Sequence, residues 1–137
     1  IKQEANMLDT YISLEKLRSP VNYEIKIEDN LENADFPGFL LQPLVENAVK
    51  HGNPENGRIL HIETKFFRKQ DDLFVSIKDN GKGFDQADIK EGYGLKLTRE
   101  RIHLLNESMK ERNIEISISS IKNTETSILL TFKNWLK

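Results

Sequence analysis

The sequence predicts an α+β chain built as a two-layer sandwich, its sheet mixed but mostly antiparallel and its helices on one face. Three observations lead there. Stretches with the period-2 alternation of half-buried strands come in adjacent pairs, 59–67 with 72–79 and 113–120 with 126–134. Three segments at 1–18, 39–51 and 95–110 space their apolar residues as helices do. Helices thus accompany antiparallel hairpins instead of alternating strictly with parallel strands, the pattern of a sheet that packs its helices on one face.

Composition narrows the function classes. A chain of 137 residues suits one domain with a hydrophobic core. Charged residues make up 31% but nearly cancel to a net −2, so neither nucleic acid nor an anionic membrane surface is expected as a partner. The absence of cysteine excludes disulfides, thiolate metal sites and a cysteine nucleophile. No apolar run approaches the ~20 residues of a membrane-crossing helix, and no signal peptide is visible. Because it begins with Ile1, the chain is expected to be a piece of something longer, with any membrane segment or sensor in the remainder. It carries no repeat, linker or low-complexity segment.

The first helix, 1–18, is free of Gly and Pro and apolar on two sides. Ile1, Ala5, Leu8 and Ile12 form one stripe; Met7, Tyr11, Leu14 and Leu17 form another. Two stripes ask for two neighbours, the domain beneath and a partner helix, although packing on its own domain alone is equally open. Ser19-Pro20 ends the helix. Val21, Tyr23, Ile25 and Ile27 then alternate with polar residues as an amphipathic strand, followed by a polar loop over 29–35.

The helix over 39–51 buries Leu41, Leu44, Val45 and Ala48 and is closed by Gly52 as a C-cap. Pro43 must lie in its first turn or mark a kink, since an interior Pro costs ~3 kcal/mol. Asn47 and His51 stand four apart with Lys50 beside them, so an amide, an imidazole and an ammonium share one edge. That set suits a magnesium–phosphate group. The plainer alternative pairs Glu46 with Lys50 on the surface and leaves His51 to the helix dipole.

The first hairpin, joined by Arg68-Lys69-Gln70-Asp71, ends on an anomaly. Leu73, Val75 and Ile77 set an inward phase, and Asp79 continues it, so a carboxylate points where an apolar side chain belongs. Burying it is costly unless something hydrogen-bonds it. Asn80, Gly81 and Gly83 follow at once, and glycine lets backbone approach a flat or charged ligand closely. Gly92 and Gly94 then open the third helix, whose free N–H groups can meet an anion. A buried Asp capping a tight turn explains Asp79 to Gly81 as well, without any ligand.

The third helix turns Leu95, Ile102, Leu105 and Met109 inward and leaves Lys96, Arg99 and Arg101 elsewhere. In the last hairpin Thr126 shares the phase of Ile128, so its hydroxyl faces inward as a candidate partner for Asp79. A β-branched residue opening a strand is also ordinary.

Three stretches in order carry a family resemblance: Leu-Val-Glu-Asn-Ala-Val-Lys-His-Gly at 44–52, Asp-Asn-Gly-Lys-Gly-Phe at 79–84 and Gly-Tyr-Gly-Leu at 92–95. They resemble the nucleotide-binding boxes of the gyrase, HSP90, histidine-kinase and MutL ATPase superfamily (GHKL). Within it, Gln-Pro-Leu-Val-Glu-Asn-Ala-Val-Lys-His-Gly and Tyr-Ile-Ser-Leu-Glu-Lys-Leu-Arg at 11–18 are similar to the catalytic domain of sensor histidine kinases of autolysin-sensor (LytS-like) type. The resemblance covers residues 8 to 132.

It implies a Bergerat fold over 20–137 that binds ATP with magnesium, preceded at 1–19 by the end of the dimerisation and phosphoacceptor helix region. Asn47 is then the magnesium ligand, and Lys50 and His51 reach phosphates. Asp79 accepts from the adenine amino group, with Thr126 assisting through water. Gly81 and Gly83 let base and ribose approach, while Phe84, Gly92, Gly94, Leu95 and Lys96 complete the nucleotide site around the lid and the start of the third helix. The implied partners are the phosphoacceptor domain of the same protein, a response regulator and a second copy in a homodimer. The implied location is the cytoplasmic part of a membrane-anchored bacterial receptor. Leu97 stands where the family usually has Asn, and Glu125 where it usually has Gly. The lid, 84–91, is short for histidine kinases generally. None of His51, His61 and His103 sits in the family's acceptor motif, so the acceptor is expected upstream of Ile1. The competing reading is a stand-alone GHKL ATPase or an anti-sigma-type serine kinase. Those relatives carry a Glu as base four residues before the Asn, where this chain has Pro43.

Overall fold

The computed structural model describes residues 1–51, 59–81, 93–121 and 124–137. Three helices and five strands follow in the order α1 (Lys2–Glu15), β1 (Val21–Ile27), α2 (Gln42–His51), β2 (Leu60–Lys69), β3 (Asp72–Asp79), α3 (Tyr93–Ser108), β4 (Asn113–Ile121) and β5 (Glu125–Lys133). The sheet order is β1-β2-β3-β5-β4. β1 pairs with β2 in parallel, and the other three pairings are antiparallel. The α+β sandwich is therefore as expected, with one βαβ unit in which α2 crosses between the two parallel strands. α1 packs nearest the β1 edge, α3 against β4, and α2 between the two helices.

Alternation decides which sheet face is covered. Leu60, Ile62, Thr64 and Phe66 of β2 and Leu73, Val75 and Ile77 of β3 are buried, and Leu130 and Phe132 of β5 join them. On the helical side Leu8, Ile12, Leu41, Leu44, Val45, Leu95 and Ile102 close the same core. A polar pair borders it: Tyr23 Oη and Thr64 Oγ1 are 2.9 Å apart. Burial pushes the Tyr23 phenol up to about 12, against the opposing effect of that hydrogen bond.

The helices differ from expectation at their ends. α1 ends at Glu15: the Lys16 amide still reaches Ile12, but the Leu17 and Arg18 amides bond three residues back, to Leu14 and Glu15, before Pro20 forbids more helix. Its first stripe is buried as read; of the second, Leu14 is 61% and Leu17 84% exposed. α2 begins at Gln42, not 39, because Phe39 has a φ of 62°, outside any right-handed helix. Pro43 is consequently its second residue, within the first turn, and the kink reading falls.

The start of α2 is secured from another element. Glu4 of α1, only 4% exposed, accepts the Phe39 amide through Oε2 at 3.0 Å and the Leu41 amide through Oε1 at 3.1 Å. Both bonds are charge-assisted, and the carboxylate sits at the positive end of α2. The first hairpin turn is tighter than read: β2 runs to Lys69 and only Gln70 and Asp71 connect it to β3, with Gln70 at φ 55°. The Arg68 guanidinium closes this turn by donating to the Gln70 carbonyl at 2.8 Å. Among the described residues no helix is long and apolar enough to cross a membrane.

Candidate functional site

A row of inward-facing residues crosses the sheet at the C-terminal end of β3. The strand registers align Ile62 with Asp79, Asp79 with Thr126, and Thr126 with Ser120. Successive rungs of an antiparallel sheet bring such side chains within ~5 Å at Cβ. An apolar residue, a carboxylate and two hydroxyls thus stand side by side where the sheet ends, on the side that carries the helices. The phase argument that set Asp79 apart and the one that turned Thr126 inward therefore lead to adjacent rungs.

Asp79 is half-buried, and its Oδ1 accepts the Gly81 amide at 2.9 Å. That amide is its hydrogen-bond donor among the described residues, which leaves Oδ2 with acceptor capacity to offer a ligand. Burial pushes the carboxyl up to about 6; the Gly81 amide opposes this, and the neighbouring Glu125 carboxylate adds to it. Gly81 is itself buried in this turn. The turn-cap reading of Asp79 and Gly81 is thus present in the geometry, but it uses only one of the two carboxylate oxygens.

Asn80 works in the opposite direction, back onto the sheet. Its Oδ1 accepts the His61 amide at 2.6 Å, its Nδ2 donates to the Ile59 carbonyl at 3.2 Å, and its own amide donates to the His61 carbonyl at 3.2 Å. These bonds pin the end of β3 to the beginning of β2. Sequence reading gave Asn80 no such duty, nor did it single out Ser120. Ser120 Oγ lies 3.0 Å from Thr126 Oγ1 and donates to the Glu125 carbonyl at 3.2 Å.

On α2, Asn47 is half-buried and Lys50 exposed. Glu46 does not pair with Lys50: its Oε1 accepts from Gln42 Nε2 at 3.0 Å, one turn back along the helix, which overturns the plainer surface-pair reading. His51 ends the helix, and its side chain lies outside the described residues. On α3, Leu95 is buried and Lys96 exposed; Gly94 falls in the first turn of the helix. Gly83, Phe84 and Gly92, with the lid, lie outside the described residues.

The donor set limits what metal chemistry is available. Among the described residues no group of three or more His, Cys, Asp or Glu could hold a metal ion. A caged cation is therefore not supported there. A single half-buried amide oxygen on Asn47 fits a different case, a magnesium ion that keeps its waters and arrives with substrate phosphates.

Residues 32–135 match the family described as histidine kinase-, DNA gyrase B- and HSP90-like ATPase. The sensor protein LytS of Bacillus cereus is 32% identical over 145 residues, covering 97% of this chain and 25% of that protein. The sensor protein LytS of Bacillus subtilis is 30% identical over 139 residues, covering 93% and 23% respectively. This chain thus spans about a quarter of the length of these relatives. Among solved structures, the catalytic domain of histidine kinase ThkA superposes with a TM-score of 0.70 at 15% identity, covering 94% of this chain and 90% of that one. The histidine kinase domain of the Erythrobacter litoralis blue-light activated histidine kinase gives 0.69 at 15% identity, covering 92% and 61%. At that identity the likeness is one of fold.

Proposed function

This chain belongs to the family of histidine kinase-, DNA gyrase B- and HSP90-like ATPases, and from that premise we propose that it is the catalytic module of a two-component sensor histidine kinase. It binds ATP and passes the γ-phosphoryl group to a histidine outside the chain. Residues 1–19 are the end of the dimerisation and phosphoacceptor helix region, and 20–137 the catalytic domain. The partners are that phosphoacceptor domain and a response regulator, and the complete protein is a homodimer anchored at the membrane with this domain on the cytoplasmic side.

The observation that carries the reading is Asp79: a half-buried carboxylate at a strand end, with one oxygen taken by Gly81 N–H and the other available. It accepts from the 6-amino group of adenine, and Thr126 on the next rung assists. Gly81 and Gly83 admit the base and ribose; Phe84, Gly92, Gly94, Leu95 and Lys96 complete the nucleotide site. Lys50 and His51 reach the phosphates from the end of α2, and Asn47 supplies the protein oxygen for magnesium. Magnesium, when bound, neutralises charge on the phosphate oxygens and orients the transferring group.

The hydrolase alternative lacks its base. Pro43, in the first turn of α2, has no proton-accepting side chain, and Glu46, three residues on, lies about a quarter-turn off the Asn47 edge of the helix. A neutral imidazole acceptor brings its own lone pair and does without such a base.

The test mixes the chain with ATP and magnesium, alone and with a separate helical fragment carrying a phosphoacceptor histidine. Phosphate on the fragment only, with no rapid turnover by the chain alone, is the expected result. Rapid turnover by the chain alone, abolished by Glu46→Gln, would make it a hydrolase.

A further inference from the structure

We propose that Ser120 is a specificity-positioning residue: through its hydroxyl it sets the direction of the Thr126 hydroxyl, so that Thr126 faces the bound base as a hydrogen-bond acceptor. This rests on the reading that Asp79 and Thr126 meet the base.

Proton bookkeeping carries the argument. Ser120 Oγ is 3.2 Å from the carbonyl oxygen of Glu125 and 3.0 Å from Thr126 Oγ1. A carbonyl has no proton to give, so the contact with Glu125 uses the one proton of the serine hydroxyl. In the contact between the two hydroxyls the donor must then be Thr126, and Ser120 accepts. With its proton committed to Ser120, Thr126 Oγ1 has only lone pairs left for a ligand. Ser120 is 8% exposed, so little water competes for its lone pairs. The register sets Thr126 directly beside Asp79 on the inner face.

Two acceptors thus stand on adjacent rungs, an ionised carboxylate and a hydroxyl presenting oxygen lone pairs. They are complementary to a base edge that offers donors, as the 6-amino group of adenine does, directly or through a water. They oppose an edge that offers an acceptor, as the 6-oxo group of guanine does. Without Ser120, the Thr126 proton is released and can turn toward a 6-oxo group. The discrimination then rests on Asp79 alone.

The experiment measures ATP and GTP affinities for the wild-type chain, Ser120→Ala and Ser120→Thr. The expected result is that Ser120→Ala lowers the ATP-over-GTP preference about 3- to 10-fold, the worth of one neutral hydrogen bond, mainly by improving GTP. Ser120→Thr, which returns a hydroxyl, restores the preference. An unchanged preference in Ser120→Ala, or equal weakening of both nucleotides, overturns the inference, since a purely structural role moves both together. Should Ser120→Ala not fold, Ser120→Cys, whose sulfur is only a weak hydrogen-bond acceptor, decides: the ATP-over-GTP preference should fall in the same direction, and an unchanged preference overturns the inference. A wild-type chain that binds ATP and GTP alike contradicts the adenine reading itself, and the inference with it.

Discussion

Glu4 Oε1 lies 3.1 Å from the amide nitrogen of Leu41, so a buried acid on α1 holds the backbone that leads into α2. Its second oxygen accepts the Phe39 amide, where the chain passes through a left-handed conformation that a bulky residue adopts only when held there. Glu4→Gln keeps the shape but replaces one acceptor oxygen with a donor, which then faces an N–H. We expect it to destabilise the chain by about 1–3 kcal/mol, read by urea unfolding. Glu4→Ala, leaving both amides without that acceptor, should cost more.

Ionisation of Asp79 works against folding. Its folded pKa is raised to about 6 from the ordinary 3.8, so below about 6 the folded chain binds the proton more readily than the unfolded chain. The penalty is fully present above pH 6 and fades as pH falls from about 6 to about 4. Asp79→Asn, which keeps an oxygen for the Gly81 amide, should therefore melt a few degrees higher than the wild-type chain at pH 7. That advantage should shrink toward zero by about pH 4. Equal melting temperatures at pH 7 would mean the carboxylate is better solvated than its burial implies.

Asn47→Ala separates the metal role from the fold. Asn47 is half-buried, while Ala48 and Val49 beside it are in the core. The variant should fold normally and bind ADP without metal as the wild-type chain does. Its gain in ADP affinity on adding magnesium should shrink about 10-fold or more. Loss of all nucleotide binding in a folded variant would instead mean that Asn47 shapes the site.

What was legible in the sequence is what has a local period. The strands show through alternation, and Asp79 stands out because it breaks that alternation in phase with Ile77. Thr126 was placed inward by the same reasoning, and the register puts it beside Asp79. Ser120 and Asn80 were not legible, because their partners are set by strand pairing; Asn80 bonds to Ile59 and His61 across a hairpin. Glu4 carries a signal of the same kind: it stands three residues after Ile1 and four before Leu8, inside the buried stripe. An acid in a helix's apolar phase calls for a partner just as Asp79 does in a strand. The start of α2 falls three residues later than the apolar spacing predicts because the constraint at Phe39 comes from Glu4, 35 residues away. The glycines of the boxes were legible by kind, and Gly81 is seen to bring its amide to Asp79.

The most direct test is a calorimetric titration of the wild-type chain and Asp79→Ala with ATP and GTP, with and without magnesium. The account predicts magnesium-dependent ATP binding, weaker GTP binding because a carbonyl would face the Asp79 carboxylate, and a loss of about 10- to 150-fold in ATP affinity for Asp79→Ala. Equal affinity for ATP and GTP in the wild-type chain, or an Asp79→Ala variant that binds ATP as the wild type does, would contradict it.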